Sequence, residues 1–229
     1  RLSMTSPDPE YQTKQTRIIR LRESTKTNGS AVMLYQDEVT YYRAPSTARS
    51  YGASGQDQPT TSVDHTTHRS ARIAAAMDAH SGRVEYLHGT SIGTDKLISF
   101  YEQIAEAFSS QNQIYMVQDN WPVHFHPAVM KQLETQHVAD RFPVVDNWQD
   151  NTKAIQADGP IPIQVIPLPT YAPWLNPIEK LWRWLKQNVI HMHSFGQAWS
   201  TLKTNVQQFL DRFSTGSTAL LEYTGLLPE

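Results

Sequence analysis

The stretch from residue 171 to residue 186 restricts the fold of this chain more than any other part of the sequence. Asn176 is a preferred N-cap residue, and Pro177 suits the first helical position, where its missing N–H costs nothing, so a helix is predicted to begin here. Glu179 then falls in the first turn. Apolar residues follow at helical spacing and predict one buried face: Ile178, Leu181, Trp182, Leu185 and Val189.

This motif alone leaves two interpretations of Glu179 open. A glutamate at this position can complete a capping box by accepting a hydrogen bond from the backbone N–H of Asn176. Its carboxylate can instead be a metal ligand held on a rigid helix. The second interpretation requires other carboxylates that share a cation with Glu179, so the rest of the chain has to supply them.

Composition excludes several classes of function. The chain has 229 residues, enough for a core that needs no disulfides, and it contains no cysteine. A disulfide scaffold, a thiol nucleophile and a cysteine-ligated zinc site are thereby excluded. No apolar run reaches the length of a membrane span, and the first residues do not resemble a signal peptide, so we expect a soluble, cytoplasmic protein without a membrane partner. Because the chain begins with Arg1 rather than Met, we expect sequence to be missing upstream.

The net charge of −2 does not indicate a strongly basic nucleic-acid-binding domain, so charge has to be judged by location. Residues 1–30 are locally basic, because Lys and Arg outnumber Asp and Glu there. The basic residues are Arg1, Lys14, Arg17, Arg20, Arg22 and Lys26, against Asp8, Glu10 and Glu23. Both a solvated tail and an arm that follows a DNA backbone through Arg17 and Arg20 fit this pattern.

Two apolar segments are each followed by an acidic residue. Residues 31–35 read as a buried strand that ends in Gln36-Asp37-Glu38, before a second short apolar run at 39–42. Residues 114–117 read as another buried strand, and Gln118-Asp119-Asn120 follows it. Polar groups just beyond strand ends form the sites of open α/β sheets, so we expect Asp37 and Asp119 to belong to a site.

The remaining patterns complete an α/β domain. We predict a helical turn or two around residues 11–22, a hairpin of strands 71–77 and 83–87 with Asp78 in its turn, and a helix over 94–108. A short helix is predicted over 127–137, an edge strand between the prolines of 161–169, and a last amphipathic helix over 195–213. Residues 138–160 are polar and are predicted to be an insertion.

Three motifs carry a resemblance to a known family. They are Gln36-Asp37-Glu38, the run from Asp119 to His124, and the run from Leu168 to Trp182, and the third is the most specific. Together they resemble the catalytic domain of Tc1/mariner-type transposases, particularly the bacterial IS630 branch, over residues 31–213. The resemblance implies an RNase H-like (retroviral integrase-like) fold, a mixed sheet flanked by helices, in a domain that we place at residues 31–229.

In that family three acids bind two divalent cations, and by motif position they would be Asp37, Asp119 and Glu179. Carboxylate oxygens suit Mg²⁺ or Mn²⁺, and we expect Asp37 to bridge the two ions while Asp119 and Glu179 each complete one. The spacing departs from the family, because 59 positions separate Asp119 from Glu179, more than is usual. The predicted insertion at 138–160 accounts for the excess.

Three polar neighbours have both functional and structural interpretations. His124 can position a phosphate or the nucleophile, or can pack and hydrogen-bond. Glu38 can support a metal ligand or be a solvated neighbour, and Asn120 can act near the metals or shape a turn. The histidine pairs at 124 and 126 and at 191 and 193 lack further ligands at suitable spacing, so zinc is disfavoured.

Candidate DNA contacts surround the third motif. Trp174 lies in a proline-flanked loop and is a candidate for base stacking, a question that Tyr171 and Trp184 also raise, whereas Trp182 is assigned to the core. The candidate phosphate contacts on the helix are Lys180, Arg183 and Lys186, against the alternative of a solvated face.

The resemblance implies a DNA transposase that hydrolyses DNA at transposon ends and joins the freed 3′-OH to target DNA. It further implies TA target sites, a homodimer on paired ends and an upstream helix-turn-helix domain, to which residues 1–30 would be the linker. Two alternatives use the same sequence features. One is an RNase H-like nuclease without strand transfer, and the other is an inactive DNA-binding or assembly module.

Overall fold

A five-stranded mixed sheet lies at the centre of the structure, a computed structural model that describes residues 5–45, 69–133, 161–191 and 198–227. The strands are β1 (Ala31–Tyr42), β2 (Ser70–Asp78), β3 (Val84–Gly89), β4 (Gln113–Gln118) and β5 (Ile163–Pro167). Their order in the sheet is β3-β2-β1-β4-β5. The hairpin strands β2 and β3 extend the sheet antiparallel to β1, whereas β4 and β5 run parallel to it.

Six α-helices are described. They are α1 (Tyr11–Thr27), α2 (Thr94–Ala107), α3 (Pro127–Met130), α4 (Ile178–Leu185), α5 (Trp199–Asp211) and α6 (Thr218–Thr224). Short 3₁₀ turns over Pro122–Phe125 and Pro173–Leu175 precede α3 and α4, and α4 continues in a π-helical turn over Lys186–Ile190. None of the described helices is long and apolar enough to cross a membrane.

The alternation of side chains along β1 divides the core into two layers. Met33 and Tyr35 pack on one face of the sheet with residues of α1, α4, α5 and α6. Val32 and Leu34 pack on the other face, mainly with residues of α2 and α3. Because successive side chains of a strand point to opposite faces, Asp37 belongs to the α4 side, and Gln36 and Glu38 belong to the α2 side.

Most sequence predictions of secondary structure are confirmed. The hairpin forms, and Asp78, the last residue of β2, accepts hydrogen bonds from the backbone N–H of His80 and the hydroxyl of Ser81 in the turn. The helix predicted over 94–108 is α2, and β5 lies at the sheet edge as its prolines indicated. The short helix predicted over 127–137 forms as α3 but already ends at Met130, and Leu133 pairs with Ile161 in a β-bridge. The predicted insertion and the beginning of the last helix at 195–197 lie outside the described residues.

Two predictions are wrong in detail. The chain does not leave the sheet at Asp37, because β1 is one strand through Tyr42 whose second half pairs with β2. The polar run Gln36-Asp37-Glu38 interrupted the apolar pattern without ending the strand. The helical turn or two expected near the amino terminus is the 17-residue helix α1, which buries Ile18 in the core.

Candidate active site

Three carboxylates from separate elements line one cavity of about 410 Å³. Asp37 lies within β1, Asp119 follows β4 directly, and Glu179 is in the first turn of α4. The rest of the lining comes from the turn after β4, the loop after β5 and the start of α4: Asn120, Trp121, Leu168, Pro169, Thr170, Tyr171, Ala172, Pro173 and Asn176. The structure thus brings together the three acids that the sequence motifs selected.

Strand register explains why two of these acids meet. The parallel pairing of β1 with β4 extends as far as Tyr35 opposite Val117. Asp37 and Asp119 each lie two residues beyond this last pair, so both come from the same end of neighbouring strands. The loop after β5 then leads into α4, which places Glu179 over the same end of the sheet.

The environment of Asp37 disfavours its negative charge in the metal-free protein. The residue is 9% exposed, and burial together with the negative charges of Glu179 and Glu38 raises its pKa to about 8. A hydrogen bond from Nε1 of Trp182 to Oδ2, 2.9 Å long, acts in the opposite direction. Asp37 therefore carries a proton at neutral pH unless a cation offsets the surrounding charge.

The other two acids are more accessible. Burial and the charge of Asp119 raise the pKa of Glu179, and the ammonium group of Lys186 partly offsets this rise. The side chain of Asp119 is 50% exposed, and its Oδ1 accepts a hydrogen bond of 2.9 Å from the backbone N–H of Trp121. The electrostatic coupling of these acids to one another shows that they share a local excess of negative charge.

The donor set fits a hard divalent cation. Three carboxylates lining one cavity supply oxygen ligands only, which is the preference of Mg²⁺ and Mn²⁺. Burial, and then the negative charges of Glu179 and Glu38, raise the pKa of Asp37, so a cation there would offset an unfavourable negative charge. Within the described ranges, no three His, Asp or Glu side chains are close enough together to form a ready-made metal cluster. The three carboxylates line the same cavity, but they are too far apart to surround one cation as they stand.

The capping-box interpretation of Glu179 is not supported by the hydrogen bonds at the start of α4. The helix begins at Ile178 with Pro177 at its N-cap, and no side chain caps it. Asn176 instead turns its amide towards the sheet, where Nδ2 donates to the backbone oxygen of Gln36 at 3.0 Å. The carboxylate of Glu179 faces the cavity rather than the preceding turn.

The three accessory candidates, Glu38, Asn120 and His124, all form hydrogen bonds within the protein near the acids. His124 is fully buried, with Nε2 lying 2.9 Å from Oε1 of Glu38, and Glu38 also accepts a hydrogen bond from Gln36. Asn120 donates through Nδ2 to the backbone oxygen of Leu168, which joins the turn after β4 to the end of β5. His126 has a separate role, because its Nδ1 accepts from the N–H of Ala128 at the start of α3.

The structure separates the candidate DNA contacts into two groups. Arg183 and Lys186 are exposed on α4, and Arg17 and Arg20 are exposed along a groove on α1. Lys180 and Trp174 already have partners within the chain. Nζ of Lys180 donates to the backbone oxygen of Thr224, and Nε1 of Trp174 donates to the hydroxyl of Tyr11.

Two features at the cavity were not predicted from the sequence, namely the backbone conformation of Tyr171 and the contact of Asp8 with Thr170. Tyr171 is 78% exposed and has φ of 54°, the only positive φ outside glycine in the described residues. Asp8 lies far from the motifs, yet its Oδ2 accepts from the N–H of Thr170 at 2.8 Å and so fixes the amino-terminal segment to the cavity wall. The Pro-Thr-Tyr-Ala-Pro run signals a tight turn but not its handedness, and no local pattern connects Asp8 with Thr170.

A protein-family model and a curated protein both match this chain. The family model described as "DDE superfamily endonuclease" matches residues 32–213. A curated relative from Shigella sonnei, the insertion element IS630 uncharacterized 39 kDa protein, is 25% identical over 183 residues, which cover 80% of this chain and 45% of the relative. The chain thus spans less than half the length of that relative.

Solved structures of Mos1 transposase share the fold. The mariner paired-end complexes with Mn and with Mg each align with a TM-score of 0.56, at 16% and 14% identity, over 99% of this chain and 64% of theirs. The paired-end complex with the left transposon end aligns with a TM-score of 0.54 at 14% identity, over 99% of this chain and 61% of that one. The predicted RNase H-like mixed sheet flanked by helices is confirmed.

Proposed function

Because the chain belongs to the DDE superfamily endonuclease family, within the Tc1/mariner and IS630 group of transposases, we propose that it is the catalytic part of a DNA transposase. It cleaves phosphodiester bonds at transposon ends and transfers the freed 3′-OH strand into target DNA at TA sites. The observation that carries this proposal is the convergence of Asp37, Asp119 and Glu179 on one cavity.

In this proposal the three acids hold two divalent cations, Mg²⁺ or Mn²⁺. Bound cations of this kind lower the pKa of water and stabilise a leaving oxygen in phosphoryl transfer. Asp37 is the most buried of the three and would contribute to both ions, while Asp119 and Glu179 would each help to hold one. Two of the acids lie on or next to rigid strands and the third on a packed helix, so the ligands are held without help from mobile loops.

The exposed cations bind the DNA backbone. Arg183 and Lys186 extend from α4, the helix that carries Glu179, and the charge of Lys186 already reaches Glu179. Phosphates entering the cavity therefore meet positive charge on its α4 side. Arg17 and Arg20 form a second candidate DNA surface, along a groove on α1. The bond between Lys180 and Thr224 leaves Arg183 and Lys186 as the stronger candidates on α4.

Transposon-end recognition would lie outside this chain. We propose that residues 1–30 lead from an upstream DNA-binding domain to the catalytic residues 31–229, with an insertion at 138–160, and that α1 packs on the catalytic core through Ile18. Two copies would assemble on paired ends, and the protein would act on DNA in the bacterial cytoplasm. The near-neutral balance of charge fits this division, because specific end recognition requires most of the basic surface.

The test is cleavage of labelled transposon-end or plasmid DNA with Mn²⁺ and with Mg²⁺, combined with direct measurement of Mn²⁺ binding. Asp119→Asn and Glu179→Gln should abolish cleavage and weaken Mn²⁺ binding while leaving the fold intact. Glu102→Gln is the matched control, because Glu102 is exposed on α2 and does not line the cavity. Normal cleavage or Mn²⁺ binding by either acid variant overturns the proposal, and cleavage without joining identifies a nuclease instead.

A further inference from the structure

Helix α4 is hydrogen-bonded to strand β1 on both sides of Glu179. Three residues before Glu179, Nδ2 of Asn176 donates to the backbone oxygen of Gln36 at 3.0 Å. Three residues after it, Nε1 of Trp182 donates to Oδ2 of Asp37 at 2.9 Å. Glu179 and Trp182 are three residues apart within α4 and therefore lie on the same side of the helix, the side that faces β1. Asn176 lies two residues before the helix begins and joins the approach to α4 to the same strand.

Both donors are inaccessible to solvent. Asn176 is 3% exposed and Trp182 is 2% exposed, so neither hydrogen bond is in competition with bulk water. A buried indole N–H has to find an acceptor, and many carbonyl oxygens could serve. Here the acceptor is the carboxylate that lies deepest in the cavity. The contact limits the orientation of Asp37 and ties it to the helix that carries Glu179.

Packing alone does not account for this arrangement. Trp184, two residues further along α4, is the tryptophan that packs among aromatic rings, with centroids 4.7 Å from Tyr223, 5.6 Å from Phe213 and 6.0 Å from Phe209. Trp182 is also buried in the core, but it makes a polar contact in addition. Asn176 likewise leaves the start of α4 without a side-chain cap in order to bind β1.

We propose that Asn176 and Trp182 are positioning residues, which set the separation and orientation of the carboxylates of Asp37 and Glu179. This inference rests on the proposed function of these acids. Asn176 holds the beginning of α4 at the level of Gln36, and Trp182 holds the next turn at the level of Asp37. Loss of either contact leaves the acids in place but loosens their relative geometry, which weakens cation binding.

The test compares Trp182→Phe with Trp184→Phe, the same substitution two positions along the same helix. Mn²⁺ binding is measured from the electron paramagnetic resonance signal of free Mn²⁺, which needs no DNA and no turnover. We expect Trp182→Phe to weaken Mn²⁺ binding by about ten- to hundredfold, and Trp184→Phe to leave it unchanged. Asn176→Leu, which keeps the side-chain size but removes the donor, should also weaken Mn²⁺ binding.

A second replacement at position 182 removes the effect of changed packing. β-(3-Benzothienyl)alanine has nearly the shape of tryptophan but carries a sulfur atom in place of the indole N–H, so it should preserve the Tm and still weaken Mn²⁺ binding. Wild-type Mn²⁺ affinity in this variant overturns the inference while the proposed function stands. If Glu179→Gln binds Mn²⁺ as the wild type does, the proposed function fails first and this inference fails with it.

Discussion

The imidazole of His124 lies 2.9 Å from the carboxylate of Glu38, and the two side chains are 0% and 3% exposed. The pair joins the turn after β4 to β1, directly beside Asp37. Burial alone would lower the pKa of His124, but the charges of Glu38 and Asp119 and the hydrogen bond to Glu38 raise it. The structure therefore holds a buried, hydrogen-bonded pair of His124 and Glu38 beside Asp37.

Removing one partner of this pair should destabilise the protein. We expect His124→Gln to lower the free energy of unfolding by about 3–5 kcal/mol, because it leaves Glu38 buried without its counter-charge. Urea unfolding measures this change. A cycle with Glu38→Gln provides the control: if the double variant loses as much as the sum of the two single variants, the side chains do not interact.

The same pair predicts a loss of stability as the pH rises above 6.5. The pKa of His124 is raised above its unfolded value, so its contribution is fully present below pH 6.5 and is lost as pH rises through the folded-state pKa. Urea unfolding of the metal-free protein across this range should show the decrease. The His124→Gln variant should not show this pH-dependent decrease in stability. If the variant and the wild type show the same pH profile, the prediction is contradicted.

Metal binding should release a proton from Asp37. Its pKa of about 8 means that the folded protein keeps a proton which the unfolded chain loses near pH 3.8, so this group stabilises the metal-free protein less as pH rises between these values. A cation must displace the proton. Calorimetric titration with Mn²⁺ at pH 7, in buffers of different ionisation enthalpy, should show about one proton released and an affinity that increases up to about pH 8. Binding that releases no proton would contradict this assignment.

Asp8 should stabilise the amino-terminal segment except in acid. Burial acts to raise its pKa, but hydrogen bonds from Lys14 and from the N–H groups of Thr170 and Glu10 outweigh it and lower the pKa to about 2. This contribution is present above pH 3.8 and is lost as pH falls towards 2. We expect Asp8→Asn to lower the free energy of unfolding by about 1–2 kcal/mol at neutral pH, and by nothing near pH 2.

Glu23→Gln is the control for Asp8→Asn. Glu23 is exposed on the same segment and lies 3.6 Å from Arg22, a surface ion pair whose loss should change stability by less than about 1 kcal/mol. If the two substitutions change the free energy of unfolding equally at neutral pH, the hydrogen bond from Thr170 to Asp8 does not contribute to stability.

Tyr171 should contribute to DNA binding more than to stability. Its positive φ is a backbone conformation that glycine adopts freely, so Tyr171→Gly relieves strain but gains entropy in the unfolded chain, and we expect a net change below about 1 kcal/mol. Loss of the exposed ring should weaken binding of a short oligonucleotide by about 1–3 kcal/mol, measured by fluorescence anisotropy at fixed salt. Tyr171→Phe, which keeps the ring, should bind as the wild type does, and an equal loss in both variants would exclude stacking.

Local sequence patterns were sufficient to predict most helices and strands and the chain positions of the three acids. The apolar stripe of α4 and the hairpin around Asp78 are local patterns, and a local pattern reports which face of a backbone segment is buried. Asp119 was placed correctly because β4 ends where its apolar run ends. Asp37 was selected by its motif, although the polar residues around it led to an incorrect strand end.

The hydrogen-bonded residues around those acids become visible only in the tertiary structure. Asn176, Trp182 and His124 find their partners 140, 145 and 86 positions away along the chain, in Gln36, Asp37 and Glu38. The local patterns of two of these residues suggested something else, an N-cap for Asn176 and simple packing for Trp182, and the hydrogen bonding considered for His124 came without a partner. A buried polar group bonds to whatever the fold brings within reach, and that choice depends on strand order and register, which short sequence patterns do not contain.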